Sequence, residues 1–209
     1  TEADNMAIRC GMIDLGINHA ITSRIEHHAV GYTLEDMANK GLIKLSYVDL
    51  DDKGNVVLSH LEELLKSNNR SFVSLMHANN EIGNLLDIKA VGEMCQTYDA
   101  IFHSDTVQTV AHYPLDMKNL NVDFIAASAH KFHGPKGIGF IYISDKIKIR
   151  PLIRGGGQER NMRAGTENIY GIAGMALAMD IAYKNLEKDV KHIKGIKKYM
   201  IDQLRKEIP

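Results

Sequence analysis

The residues most suited to chemistry follow a short apolar run in the second half of the chain. Residues 124–127 are apolar and end in two small side chains, and Ser128, His130 and Lys131 then supply a hydroxyl, an imidazole and a primary amine. A turn rich in glycine and proline comes next, so the pattern predicts a strand whose end presents these groups. A lysine in such a place can be desolvated enough to lose its proton, as an amine that reacts with a carbonyl must. The pattern also fits a solvated lysine after a strand. The neighbouring residues decide between a reactive and a solvated lysine.

Polar side chains stand at the ends of three other predicted strands. His27, Asn80 and the pair Asp105 and Gln108 each follow an apolar or alternating run. Ligands of open α/β sheets bind outside the carboxyl ends of the strands. One crevice would therefore collect an imidazole, a carboxylate and two amides beside the groups of residues 128–131.

This set of groups suits pyridoxal phosphate. The aldehyde of that cofactor needs a lysine for a Schiff base, its ring nitrogen needs an anion, and its flat ring needs a stacking partner. We assign Lys131 to the aldehyde, Asp105 to the ring nitrogen and His27 to the ring face. Its phosphate needs hydroxyls, imidazoles and helix N-terminal amides. The residues assigned to the phosphate are Thr1, Ser128 and His130.

Each assignment has a less specific alternative. An aspartate such as Asp105 is common as a helix cap or turn former, and a pair such as His27 and His28 is common on protein surfaces. Residues 134–139 resemble a phosphate-binding loop, but they precede a strand where such a loop opens a helix, so we reject nucleotide binding. The 10 histidines raise the hypothesis of a metal hydrolase. However, the sequence has no HExxH motif, and the histidines after residue 129 lack cysteine or carboxylate neighbours, so we expect no metal site.

Helices and strands are predicted to alternate along the chain. Ser59 and Glu62 form a capping box, Asp87 caps the next helix, and Ile169 begins a long helix that runs to about residue 186. Such alternation predicts an α/β fold with a mainly parallel sheet covered by helices on both faces. The predicted helices start near residues 1, 29, 59, 87, 169 and 190, and the predicted strands occupy residues 19–26, 42–50, 70–77, 100–105, 122–128 and 138–144.

Length and composition favour one soluble domain with a small-molecule site. The 209 residues suffice for one α/β domain, and 25 basic residues nearly balance 26 acidic ones, so we expect neither a nucleic acid nor a membrane as partner. Cys10 and Cys95 lie in helical patterns without metal or disulfide spacing, which indicates core positions and a reducing compartment. The chain begins at a helix cap and stops as a helix ends, so we expect it to be part of a longer protein.

Four segments carry the most specific motifs. They are residues 76–83 (MHANNEIG), 103–108 (HSDTVQ), 128–137 (SAHKFHGPKG) and 155–168 (GGGQERNMRAGTEN). In this order and spacing they closely resemble the cysteine desulfurases, which are class V aminotransferase-like enzymes of pyridoxal-phosphate fold type I. The resemblance implies a mainly parallel, seven-stranded type of sheet between helices. It also implies that residues 1–185 are an N-terminally truncated cofactor-binding large domain and that residues 186–209 begin a small domain.

The resemblance implies a role for each candidate residue. Lys131 would hold the cofactor and act as a base, and His27 would stack on the ring and move protons. Asp105 would pair with the ring nitrogen, Gln108 with the ring hydroxyl, and Asn80 with both cofactor and substrate. The remaining implied contacts are Thr1, Ser128 and His130 with the phosphate, Thr166 with the phosphate of the partner subunit, and Asn5 near the substrate.

The resemblance also implies the reaction and the partners. Cysteine desulfurases take sulfur from L-cysteine, leave L-alanine and carry the sulfur as an enzyme persulfide. The sulfur goes to an acceptor such as an iron–sulfur scaffold protein. The expected protein is a cytoplasmic or organellar homodimer in which residues 155–168 reach the neighbouring subunit.

Two family features are missing from the sequence. Neither Cys10 nor Cys95 matches the mobile-loop cysteine that attacks the substrate sulfur, and the arginine that binds the substrate carboxylate belongs to a region beyond these residues. We therefore expect this chain to bind the cofactor at best and to be inactive alone. Three alternatives stay open: a selenocysteine lyase, a desulfurase that serves DNA or tRNA thiolation, and a non-catalytic scaffold that binds pyridoxal phosphate.

Overall fold

The structure, a computed structural model, describes residues 1–208. Within these residues one sheet has six strands in the order β2-β1-β3-β4-β5-β6, of which the first five run parallel and β6 is antiparallel to β5. The predicted mainly parallel α/β fold is confirmed, with six strands where the resemblance implied a seven-stranded type of sheet. The strands are β1 (His19–Thr22), β2 (Lys44–Tyr47), β3 (Phe72–Ser74), β4 (Ile101–Asp105), β5 (Phe124–Ser128) and β6 (Gly139–Ile143).

Helices enclose two apolar cores against the sheet. The helices are α1 (Glu2–Asn5), a π-helical turn (Met6–Cys10), α2 (Gly11–Asp14), α3 (His28–Asn39), α4 (Leu58–Lys66), α5 (Ile88–Thr97), α6 (Gln158–Asn161) and α7 (Ile169–Glu207). One core joins Leu61 of α4 and Val91 of α5 to Phe102 of β4, and the other joins Val30 of α3 to Phe124 of β5. Because the central strands are covered on both faces, most of their side chains are apolar or small, and the exceptions on β4 are His103 and Asp105.

Two predicted helix starts had different outcomes. The Asp87 cap is confirmed, since its Oδ1 accepts a hydrogen bond from the Ala90 amide at 3.0 Å. The capping box of Ser59 and Glu62 is wrong, because α4 already begins at Leu58 and has no side-chain cap. The amide of Val57 donates a hydrogen bond to the Asp49 carbonyl. This bond sets the start of α4 at Leu58, one residue before Ser59. Ser59 therefore lies inside the first turn.

The strands that lead to the site are shorter than predicted. β1 ends at Thr22, and residues 23–26 form a turn in which the Ser23 hydroxyl donates to Glu26 at 2.7 Å. β3 ends at Ser74, three residues before the end of the predicted strand. The residues after both strands are therefore free to form the loops that bring His27 and Asn80 to the carboxyl edge of the sheet.

The last helix is one continuous element. The sequence predicted two helices that meet between residues 186 and 190, but α7 runs unbroken from Ile169 to Glu207 because residues 184–192 contain neither glycine nor proline. Its first half packs Met175 and Met179 against the core of the sheet, whereas Ile193 and Tyr199 in its second half are more than half exposed. The domain boundary between residues 185 and 186 thus has no break in the backbone and stays a prediction.

Residues 1–208 contain neither a membrane-spanning helix nor a cluster of side chains suited to a metal ion. None of the helices described there is both long and apolar enough to cross a membrane. Among the same residues, no group of three or more histidine, cysteine, aspartate or glutamate side chains is placed to hold a metal ion.

Candidate active site

The carboxyl ends of β4 and β5 lie side by side and carry the central candidate residues. Asp105, the last residue of β4, is in register with Ala126 of β5, and Ser128 ends β5 two residues later. The turn with Lys131 follows directly. Since parallel neighbours end at the same edge of the sheet, the fold places the carboxylate next to the strand that delivers the hydroxyl, the imidazole and the amine.

Asp105 is a buried carboxylate with few protein partners. Only 5% of its surface is exposed, and its Oδ1 accepts one hydrogen bond from the Val107 amide at 2.9 Å. Burial raises the pKa of Asp105 and the charge of Asp4 raises it further, while the Val107 amide and the charges of His103 and His27 act in the opposite direction. No group in residues 1–208 donates to Oδ2. A cation placed against this oxygen would stabilise the ionised form.

Lys131 lies in a short 3₁₀ turn (Ala129–Phe132) whose backbone is held in place. The His112 ring nitrogen Nε2 donates to the Lys131 carbonyl at 2.9 Å, and His133 closes the turn in the left-handed region with φ 67°. Gly134 follows where a Cβ would approach the Ala129 Cβ to 2.9 Å, so the return of the chain requires glycine. The Lys131 side chain itself is exposed. The fold therefore fixes the base of this side chain and leaves its amine free to meet a ligand.

Two of the predicted phosphate ligands are in contact. The Ser128 Oγ lies 2.9 Å from the His130 Nδ1, and both side chains reach solvent at the end of β5. One N–H or O–H is used between the two side chains, so a neutral pair keeps one donor for an anion and a protonated imidazole adds a second.

His27, Thr1 and Asn5 line a second part of the site, an open groove of about 360 Å³. His27 is the N-cap of α3, and its Nδ1 accepts from the Ala29 amide at 3.1 Å, which fixes the orientation of the ring. Asn5 is already engaged, because its Oδ1 accepts from Thr33 and its Nδ2 donates to the Thr1 carbonyl. A substrate that contacts Asn5 would have to share these bonds.

The other three predicted site residues are less closely connected. Asn80 is exposed and its amide donates to the neighbouring Glu81, while Gln108 is half-buried in the turn that follows Asp105. Thr166 is exposed, and the segment around it contacts the N-terminal helix of its own chain through the ion pair between Arg163 and Glu2. Within residues 1–208 no hydrogen bond connects Thr166 to the other candidate residues.

The sequence reasoning missed three ionisable side chains beneath this edge: Asp4, Glu26 and His103. His103 is fully buried and Asp4 is 1% exposed, and the Nε2 of His103 lies 3.5 Å from the Oδ1 of Asp4. Glu26 has one carboxyl oxygen that is buried without a partner. One signal was available, because His103 and Asp105 are two residues apart on a strand and therefore share a face. The position of Asp4 and Glu26 depends on contacts that no local pattern contains.

Both cysteines are core residues, as the sequence predicted. Cys10 and Cys95 are buried and unpaired, and burial raises the pKa of each thiol, with nearby Asp14 and Asp123 acting in the same direction. A nucleophilic cysteine needs the opposite environment, exposed and electropositive.

Comparison with known proteins decides the family. The family model described as "Aminotransferase class-V" matches residues 1–208. The chain belongs to this family. The resemblance found in the four sequence segments is thereby confirmed, and the curated relatives of this class-V chain carry the name cysteine desulfurase. The cysteine desulfurase IscS of Dictyoglomus turgidum is 41% identical over 210 residues, which cover 100% of this chain and 53% of that protein.

Solved structures agree with the family assignment. A "NifS-like protein" superposes with a TM-score of 0.92 at 38% identity, covering 98% of this class-V chain and 57% of the other. A structure described as "SspA in complex with cysteine" has a TM-score of 0.80 at 32% identity, covering 86% of this chain and 52% of that one. The chain thus spans about half the length of the relatives that it matches.

Proposed function

We propose that this chain is the cofactor-binding part of a pyridoxal-phosphate-dependent cysteine desulfurase. The observation that carries the proposal is the buried Asp105 carboxylate, placed at the strand end beside the Ser128–Lys131 turn. A carboxylate with a free oxygen, a fixed lysine and an adjacent hydroxyl–imidazole pair are the donor and acceptor types that this cofactor needs. The residues present therefore fit pyridoxal phosphate.

Each residue would make a distinct contribution. Bound pyridoxal phosphate supplies an electron sink for the bonds at the substrate Cα. Lys131 would hold the cofactor aldehyde through Nζ, and the same nitrogen would serve as the base for the substrate Cα proton. Asp105 would pair with the ring nitrogen as a carboxylate and would favour the protonated form of that nitrogen. His27 would stack on the ring and move protons through its Nε2, and the bond from the Ala29 amide to its Nδ1 supports the ring orientation that this needs.

The remaining candidate residues would bind and orient. Ser128, His130 and Thr1 hold the phosphate, and Gln108 donates to the ring hydroxyl. Asn80 contacts cofactor and substrate, and Asn5 lies on the substrate side. Thr166 completes the phosphate site of the partner subunit in a homodimer, and its exposed position supports this assignment.

The substrate is L-cysteine and the products are L-alanine and an enzyme persulfide. The names of the curated relatives and the cysteine complex of SspA support this choice. The nucleophilic thiol must come from residues beyond this chain, because Cys10 and Cys95 are buried with raised pKa values. This chain alone is therefore inactive, and the whole protein passes its sulfur to an acceptor such as an iron–sulfur scaffold protein in the cytoplasm.

We also propose that residues 186–209 begin a small domain. The apolar side chains of the second half of α7 support this, because Ile193, Ile196 and Tyr199 are more than half exposed in the isolated chain. Apolar groups along a solvated helix are stabilised when another layer covers them.

The test is a visible absorption spectrum of the full-length protein after reconstitution with pyridoxal phosphate. We expect a protein-bound visible band that borohydride removes and that Lys131→Ala abolishes. Lys136→Ala is the matched control, since Lys136 is an exposed lysine five residues further along the same loop, and it should keep the band. A colourless wild-type protein would overturn the proposal.

Turnover identifies the substrate. With a reductant present, L-cysteine should give alanine and sulfide in equal amounts. Turnover of selenocysteine alone would instead identify a selenocysteine lyase.

A further inference from the structure

A buried pair of ionisable side chains, Asp4 and His103, lies next to Asp105. His103 is 0% exposed and Asp4 is 1% exposed. The His103 ring has its Nδ1 2.8 Å from the Ser74 Oγ and its Nε2 3.5 Å from the Asp4 Oδ1. None of these three residues has a role in the proposed reaction. Burying a carboxylate is costly unless it is compensated, so the pair requires an explanation.

The order Ser74, His103, Asp4 has the residue types of a nucleophilic triad, but it cannot act as one. Ser74 is 0% exposed, and its hydroxyl points into the sheet at the His103 ring. A nucleophile must reach its substrate, whereas the Phe72 ring stacks over His103 on the neighbouring strand. The pair acts on the site through Asp105, which lies two residues from His103 on β4.

The charges around His103 come from several elements. Asp4 belongs to α1, Asp105 lies two residues along β4 on the same face as His103, Glu26 follows β1, and His27 caps α3. Burial acts to raise the pKa of Asp4, but the imidazole of His103 and the Thr1 amino group, which lies 3.3 Å from the Asp4 Oδ2, together lower that pKa overall. Asp4 in turn raises the pKa of Asp105, and the charge of His103 lowers it. A charged His103 therefore offsets part of the effect that Asp4 has on Asp105.

We propose that Asp4 and His103 form a positioning pair for the cofactor: the positive charge of His103 offsets that of Asp4, so that Asp105 keeps its negative charge for a cationic ring. This inference rests on the proposed function. With all three groups charged, the cluster carries a net charge of one negative unit, which matches one protonated ring nitrogen. With His103 uncharged, the buried carboxylates of Asp4 and Asp105 would lack its compensating charge, and ionisation of both together would be disfavoured.

The first test measures cofactor affinity in the full-length protein. His103→Gln removes the imidazole beside the Asp4 Oδ1, so we expect the dissociation constant for pyridoxal phosphate to rise by about tenfold or more. The double variant Asp4→Asn/His103→Gln removes both charges and should recover most of the lost affinity. His19→Gln is the matched control, because His19 is another buried histidine between two serines at the opposite edge of the sheet. It should bind the cofactor as wild type does.

The second test needs no cofactor. In nitrogen NMR of histidine-labelled apoprotein at neutral pH, both ring nitrogens of His103 should be protonated, with the signal assigned by its loss in His103→Gln. A neutral His103 ring would overturn the proposal, as would wild-type affinity in His103→Gln. If His103→Gln unfolds while the double variant folds, charge compensation is supported. If both His103→Gln and the double variant unfold, the NMR spectrum of the wild-type protein decides whether His103 is charged. A wild-type protein that binds no cofactor would refute the proposed function and would leave the NMR result to decide the charge of His103.

Discussion

Glu26 provides the sharpest test of the electrostatics beneath the site. Its Oε1 accepts hydrogen bonds from the Ser23 hydroxyl at 2.7 Å and the Met76 amide at 3.0 Å, and its Oε2 is buried with no partner. Burial raises the pKa of Glu26 from 4.5 to about 8, and the charges of Asp105 and Asp4 act in the same direction. Glu26 is therefore a neutral acid at pH 7 in the folded protein, whereas it is ionised in the unfolded chain.

The sign of the pH dependence follows from this difference. A group whose pKa is raised by folding contributes its full stability below its ordinary pKa, and that stability is lost as the pH rises toward the folded value. Each pH unit in this window changes the free energy of unfolding by about 1.4 kcal/mol, so the contribution of Glu26 falls by about 3 kcal/mol between pH 5 and pH 7. Over the whole window, which ends near pH 8, the loss is about 5 kcal/mol.

The assay is urea unfolding of wild type and Glu26→Gln at four pH values from 5 to 8. Glutamine keeps the shape and the acceptor oxygen but cannot ionise. The unfolding free energy of the variant should therefore lack the pH dependence that Glu26 contributes. The difference in unfolding free energy should shift in favour of the variant by about 3 kcal/mol from pH 5 to pH 7. Glu63→Gln is the matched control, because Glu63 is an exposed glutamate on α4. Parallel stability curves for wild type and Glu26→Gln would refute the reasoning.

Two further predictions concern the site and the cysteines. Asp105→Asn should weaken binding of pyridoxal phosphate by at least about tenfold in a spectrophotometric titration, because the ring nitrogen loses its anionic partner. Asp123→Asn, at a half-buried carboxylate before β5, is its control, and an equal loss in both variants would contradict a specific role for Asp105. Cys10 and Cys95 should react slowly with a thiol reagent in the folded chain and rapidly in denaturant, because their thiols are buried and their pKa values raised. Rapid reaction of either cysteine in the folded chain would contradict the core assignment.

Local sequence patterns predicted the structure correctly where a residue and its hydrogen-bond partner are close in sequence. The Asp87 cap bonds an amide three residues away, and Asp105 and Ser128 stand at the ends of β4 and β5, where the apolar runs end. The Ser59 cap was wrong because a longer-range bond, from the Val57 amide to the Asp49 carbonyl, sets the start of α4. The division of α7 into two helices was wrong because the change from apolar to charged composition marks a loss of contacts with the core. It does not mark a break in the helix.

The buried acids lie beyond the reach of sequence patterns for a related reason. Asp4 and His103 are 99 residues apart, and each alone reads as an ordinary member of a helix or a strand. Glu26 becomes a neutral acid only because the loops after β1 and β3 meet around it, through the Met76 amide 50 residues away. Ionisation in this protein is thus decided by tertiary contacts, whereas the identity of the groups at the strand ends is decided locally. The sequence motifs therefore locate the groups that would bind the cofactor, and the fold decides which of these groups are charged when it binds.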